Sequence, residues 1–112
     1  MNTQSNPNKE LRIKEEIQHL AAKYVQLESN GASIITITNV ILGDRGKNAL
    51  ILFTVLPDKK QEVVQEFLKR KRKEFQEYVR ANSRIGRIPL FDFGIDFGEK
   101  NRQKADILLA KD

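Results

Sequence analysis

The stretch Ile35–Leu56, ITITNVILGDRGKNALILFTVL, limits the possible folds of this chain more than any other. Two runs rich in β-branched and aliphatic residues flank Gly43-Asp44-Arg45-Gly46, a short segment bounded by glycines. That pattern specifies two strands joined by a turn. In the first strand, about Ser33 to Leu42, the apolar phase changes midway. Ile35 and Ile37 share one face, Val40 and Leu42 the other. A period of two cannot do this without an extra residue, so a β-bulge is expected near Thr38-Asn39. The second strand, Lys47 to Leu56, is apolar on both faces through Ala49, Leu50, Ile51, Leu52 and Phe53, which predicts a central or doubly covered strand.

Helical spacing precedes and follows this hairpin. Asn6-Pro7 suits a helix start, and Ile13, Ile17, Leu20, Ala21, Tyr24 and Leu27 then recur on one face up to Ser29-Asn30-Gly31. After Pro57, Asp58 and Gln61 read as a variant capping box. The buried stripe of the next helix is Val64, Phe67, Leu68, Phe75, Tyr78 and Val79. Lys71 falls on that stripe, so either the helix bends there or the Lys stem packs while its ammonium reaches water. With no glycine between Gly46 and Gly86, a straight passage through 69–74 is predicted. Pro89, Phe91, Phe93 and Ile95 share one face of a third strand, and Ala105, Ile107, Leu108 and Leu109 suggest a short final helix.

At 112 residues the chain has the size of one domain, with a flexible segment at 1–7 and the folded unit over 8–110. No apolar run approaches the roughly 18 residues of a membrane span. The opening MNTQSNPNKE lacks the basic and apolar regions of a secretion signal, which suits a cytoplasmic protein. There are no cysteines, hence no disulfides or thiolate metal sites. His19 is the sole histidine, which leaves neither a metal cluster nor a nucleophile–base pair. Asp92 and Asp96 stand four apart on the polar side of the third strand and read as solvent-exposed. Phe91 and Phe93 read as core, Phe97 as more open. No catalytic residues, cofactor or metal are expected.

Charge is the remaining signal. The net charge is +5, and the window Lys69–Arg87 holds eight basic residues against Glu74 and Glu77. Such a patch concentrates polyanions. On a continuous helix Lys69, Lys73 and Arg80 form a row opposite the buried stripe, flanked by Arg72 and extended by Arg84 and Arg87. Arg70, with Glu66 and Glu74 four residues to either side, reads as an ion-pair partner. The candidate RNA-binding set is therefore Lys69, Arg72, Lys73, Arg80, Arg84 and Arg87. Gly43-Asp44-Arg45-Gly46 spells the GxxG clamp of classical KH domains, but a clamp lies between helices and this one lies between strands.

The order helix, strand, strand, long or bent helix, strand is that of an α+β, type II KH-like domain, a three-stranded sheet packed against helices. Several residues go further. Ile35, Thr36, Ile37, Thr38, Val40 and Leu42, then Ala49, Ile51, Phe53, Thr54, Val55 and Leu56, and finally Pro89, Phe91, Phe93 and Asp96 resemble the ribosome-binding factor A family. The chain departs from that family in lacking Asp-Pro-Arg before the first strand, a Ser-x-Asp-Leu turn, and the Ala-x-Gly kink, which aligns with Lys71-Arg72-Lys73. The resemblance implies a non-catalytic, monomeric assembly factor for ribosome biogenesis. Its partners would be the small ribosomal subunit precursor and its rRNA, with roles in late maturation, rRNA processing and growth in the cold. Two other readings stand beside it: a nucleic-acid-binding regulatory module acting on mRNA or DNA, and a protein-interaction module using the charged helix.

Overall fold

The computed structural model describes residues 7–28 and 31–98. Its elements are α1 (Pro7–Glu28), β1 (Ile34–Gly43), β2 (Asn48–Leu56), α2 (Gln61–Arg70), α3 (Arg72–Asn82) and β3 (Leu90–Ile95). The sheet order is β1-β2-β3. β1 and β2 are an antiparallel hairpin. β3 lies parallel to β2, so the chain crosses over through α2 and α3 to reach it. This is the α+β, KH-like arrangement expected, with β2 central.

The bulge falls where the phase change places it. Ile37 pairs with Phe53 and Asn39 with Leu52, leaving Thr38 as the extra residue. The Asn39 side-chain oxygen accepts the Val40 N–H at 2.8 Å. Ile37 and Val40 are consequently both buried on the same face. The turn between the strands is a 3₁₀ turn in which Asp44, Arg45 and Gly46 all take positive φ, closed by Lys47 N–H donating to the Asp44 carbonyl at 3.0 Å.

All three helices lie on one side of the sheet. Ile17, Leu20, Ala21, Tyr24 and Val25 of α1 meet Ile37, Val40, Ala49, Ile51, Phe53 and Val55 from the sheet, together with Val64, Leu68, Phe75, Val79, Phe91 and Phe93. Leu27 does not join them. It is 70% exposed and Val25 takes the inward position, because the stripe on α1 turns with the helix. Phe75 is the aromatic hub, with ring centroids 4.7 Å from Phe91, 5.2 Å from Tyr24 and 5.6 Å from Phe93. The opposite sheet face carries no helix among the described residues. Ile34, Ile41, Leu56 and Leu90 are exposed there.

Two local expectations are corrected. Asp58 and Gln61 form no capping box: a 3₁₀ turn, Asp58–Lys60, leads into α2, whose N-cap Lys60 makes no side-chain bond. The passage through 69–74 is not straight. Lys71, at φ −96° and ψ 8°, ends α2 and starts α3. Its N–H bonds back to the Leu68 carbonyl at 3.0 Å, while its own carbonyl accepts Phe75 N–H at 2.8 Å. Those angles lie in the bridge region, open to any residue, so the break needs no glycine. The side chain stays at the surface of the packed helices rather than extending into water. Its ammonium lies 3.3 Å from Glu28, 3.0 Å from Glu74 and 5.4 Å from the Phe67 ring centroid. The expected final helix at 105–109, the Asn6 cap and the segment 1–6 lie outside the described residues.

Candidate nucleic-acid interface

Five consecutive cations, Lys69 to Lys73, occupy the break between α2 and α3. The break divides the predicted row: Lys69 belongs to α2, Lys73 and Arg80 to α3. Lys69 and Arg70 sit in the last turn of α2, where the helix dipole favours positive charge. Arg72 and Lys73 sit in the first turn of α3, where it does not. Helix stability therefore does not account for the second pair.

The cations differ in their partners. Lys69 Nζ and Arg72 Nη1 both approach Asp92 Oδ1 of β3, at 3.3 and 3.5 Å. Arg72 Nε also donates to the Lys69 carbonyl at 2.9 Å. Asp92 Oδ1 further accepts the Phe93 N–H at 2.8 Å. Asp92 is thus half-buried and structural, not simply solvated as its strand position suggests. It anchors two cations at the outer edge of β3 and occupies an N–H that an edge strand would otherwise offer to another chain. Gln76 reinforces the same border by donating to the Pro89 carbonyl at 3.2 Å.

Lys71 is committed to Glu28 and Glu74. Hydrogen bonding to Glu74 first, and to Glu28 second, raises its pKa. Lys71 in turn lowers that of Glu74, with Tyr24 contributing less. Arg80 pairs with Glu77 at 2.7 Å. Lys73, Arg84 and Arg87 are exposed and have no ion-pair partner among the described residues. Arg70, read from its neighbours as paired, also has none, because Lys71 takes Glu74. With Lys60, Val63 and Phe67 it lines a shallow cleft beside α2. Lys60 is not legible as part of a basic surface, since Asp58 and Glu62 stand two residues to either side of it.

Among the described residues no group of three His, Cys, Asp or Glu is placed to hold a metal ion, and no helix is long and apolar enough to cross a membrane. Phe91 and Phe93 are buried in the core, whereas Phe97 is 58% exposed.

The described residues form a KH-like α+β domain with a cationic helix junction beside its edge strand. Two of the solved structures it matches carry a more particular description. It superposes on ribosome-binding factor A from Thermus thermophilus with a TM-score of 0.68 at 15% identity, covering 76% of this chain and 92% of that one. It also matches a Thermotoga maritima protein described as a candidate ribosome binding factor A, at a TM-score of 0.65 and 23% identity, over 80% and 89% of the two chains. The chain is thus ribosome-binding-factor-A-like in fold. No family sequence model matches it, and no curated protein matches it in sequence.

Proposed function

We propose that this chain is a divergent ribosome-binding factor A that binds the immature small ribosomal subunit through its rRNA and assists late maturation without catalysis. The observation that carries this reading is the likeness to two structures of that name over nearly their whole length. The cations placed against the helix dipole at the start of α3 support it, because a bound phosphate would reverse their electrostatic penalty. The contact surface is Lys69, Arg72, Lys73, Arg80, Arg84 and Arg87, joined by Arg70. Its work is differential binding: it must prefer an immature rRNA arrangement, since equal affinity for both states shifts neither.

The test is sedimentation of a cell lysate on a density gradient, with each fraction probed for the protein. Co-migration with small-subunit precursors, lost in the Arg72→Glu, Lys73→Glu variant, is expected. A protein that remains at the top of the gradient, or follows mRNA in all fractions, would overturn the reading.

A further inference from the structure

The turn between β1 and β2 runs against the preference of one of its residues. Asp44 and Arg45 stand at φ 51° and 56°, and Gly46 follows at φ 84°. Glycine takes such angles freely, and aspartate more readily than most. Arginine does not, because in the left-handed region its Cβ crowds the following carbonyl oxygen. The fold gains no contact in return. Arg45 is exposed and, among the described residues, makes neither an ion pair nor a side-chain hydrogen bond, even with Asp44 beside it. A residue held in a costly conformation without a structural partner points to a use outside the fold.

Other cations stand at the same end of the sheet. Leu90 N–H donates to the Lys47 carbonyl at 2.8 Å, which fastens the turn to the start of β3. The segment leading into β3 is itself fixed. Ser83 Oγ donates to the Val79 carbonyl at 2.8 Å and accepts the Ile85 N–H at 3.3 Å. Ile85 and Ile88 pack on the core, and Pro89 is buried. Arg84 and Arg87 are exposed between these anchors, so they share the end that carries Arg45 and Lys47. Segments 43–48 and 83–90 hold those four cations against Asp44 alone. None of the four is in an ion pair among the described residues. α3 links this end to the cations at the helix break, and its 11 residues span about 16 Å.

We propose that the β1–β2 turn is a second phosphate-contact point of the RNA-binding surface, with Arg45 and Lys47 engaging the same RNA as the cations of the helix break. This rests on the proposed function above. The contact is made by side chains, not by a GxxG backbone clamp, since the turn joins two strands. Cations on two anchored segments bind the RNA backbone whatever its sequence. Their effect is to fix the direction of the RNA along α3.

The test is titration of structured rRNA over a range of salt, with urea unfolding of the same variants. Arg45→Asn removes the charge and suits a left-handed backbone. It should keep or raise the urea midpoint and flatten the salt slope by about one contact. Adding Lys47→Gln should flatten it by about two. Lys59→Gln removes one charge at the opposite end of the sheet and should keep the wild-type slope. A lower urea midpoint for Arg45→Asn would give the guanidinium a structural role and overturn the proposal. So would wild-type slopes in both turn variants, or an equal loss with Lys59→Gln, which would reduce the effect to net charge. Turn variants that bind naked rRNA normally but no longer sediment with small-subunit precursors would assign the turn to a protein partner and overturn it too. In each of these cases the wild type still binds rRNA and the proposed function stands. A wild type that binds no rRNA overturns both.

Discussion

Lys71 shows how one side chain can turn an apparent fault into a joint. A lysine on a buried stripe should destabilise, and its removal should then be neutral or better. Here its ammonium lies over the Phe67 ring and bridges Glu28 at the end of α1 to Glu74 in α3. Lys71→Ala should therefore lower the urea midpoint modestly. Lys71→Met, which keeps the stem and loses the charge, should lower it too, because two carboxylates are left facing each other. Unchanged midpoints in both variants would reduce the bridge to a solvated ion pair. Beneath it, Tyr24 is buried with no hydrogen bond of good geometry to its hydroxyl. Burial first, and the Glu74 carboxylate second, push its pKa well above the tyrosine range. The folded state holds that proton more tightly than the unfolded chain. The resulting stability is present below about pH 10, the ordinary tyrosine value, and declines as pH rises above it. Tyr24→Phe should flatten this alkaline decline. An absorbance titration of the wild type should show a tyrosine ionising late, a feature absent from the variant.

At the scale of elements, most of the fold is legible in the sequence because its signals are local. The bulge follows from Ile35 and Ile37 disagreeing in phase with Val40 and Leu42, and the central position of β2 from its apolar residues on both faces. The helix break escapes such reading for a physical reason. Absence of glycine disfavours only positive φ, whereas Lys71 bends the chain at negative φ with one short-range hydrogen bond. Ion-pair assignments fail likewise. Spacing along a helix offers Arg70 two carboxylates, but Asp92 and Glu28 come from other elements and redistribute the pairing. A pattern of neighbours in sequence cannot reveal a partner on another strand. The bulge provides the sharpest test of an element legible from its residues. Deleting Thr38 removes the extra residue and leaves Ile37, Val40 and Leu42 in strict alternation on the covered face. Burial of an aliphatic side chain contributes about 1.5–3 kcal/mol, so a deletion that instead turned Val40 and Leu42 outward would cost nearly the whole stability of a small domain. The deletion should therefore retain cooperative unfolding by circular dichroism, as should Thr38→Ala; loss of cooperativity in the deletion alone would show that the native strand runs without a bulge at this point.

On the whole-molecule scale the sheet separates two surfaces of opposite character. The helices carry the cations on one side, and the other is largely aliphatic, with Asp92 and Asp96 of the β3 edge as its charged groups among the described residues. Net charge alone would draw RNA to the protein without selecting a face. Selection comes from which cations are already neutralised. Lys71 and Arg80 are engaged by the protein's own carboxylates, and Lys69 with Arg72 shares one, Asp92. Each phosphate neutralised changes the slope of log affinity against log salt by roughly −0.7 to −0.9, so about four contacts give a slope near −3. Arg72→Glu with Lys73→Glu and Arg84→Glu should flatten that slope and weaken binding to structured rRNA, with the circular dichroism spectrum unchanged. Arg80→Glu alone should have a smaller effect, because Glu77 already claims its guanidinium. Asp92→Asn works in the opposite direction: it frees Lys69 and Arg72, and should steepen the slope by up to about one contact and raise affinity for RNA of any sequence. If Asp92→Asn instead weakened binding, the carboxylate would be holding the two cations in their productive position rather than competing with phosphate. The patch would then bind through geometry imposed by β3 more than through charge alone.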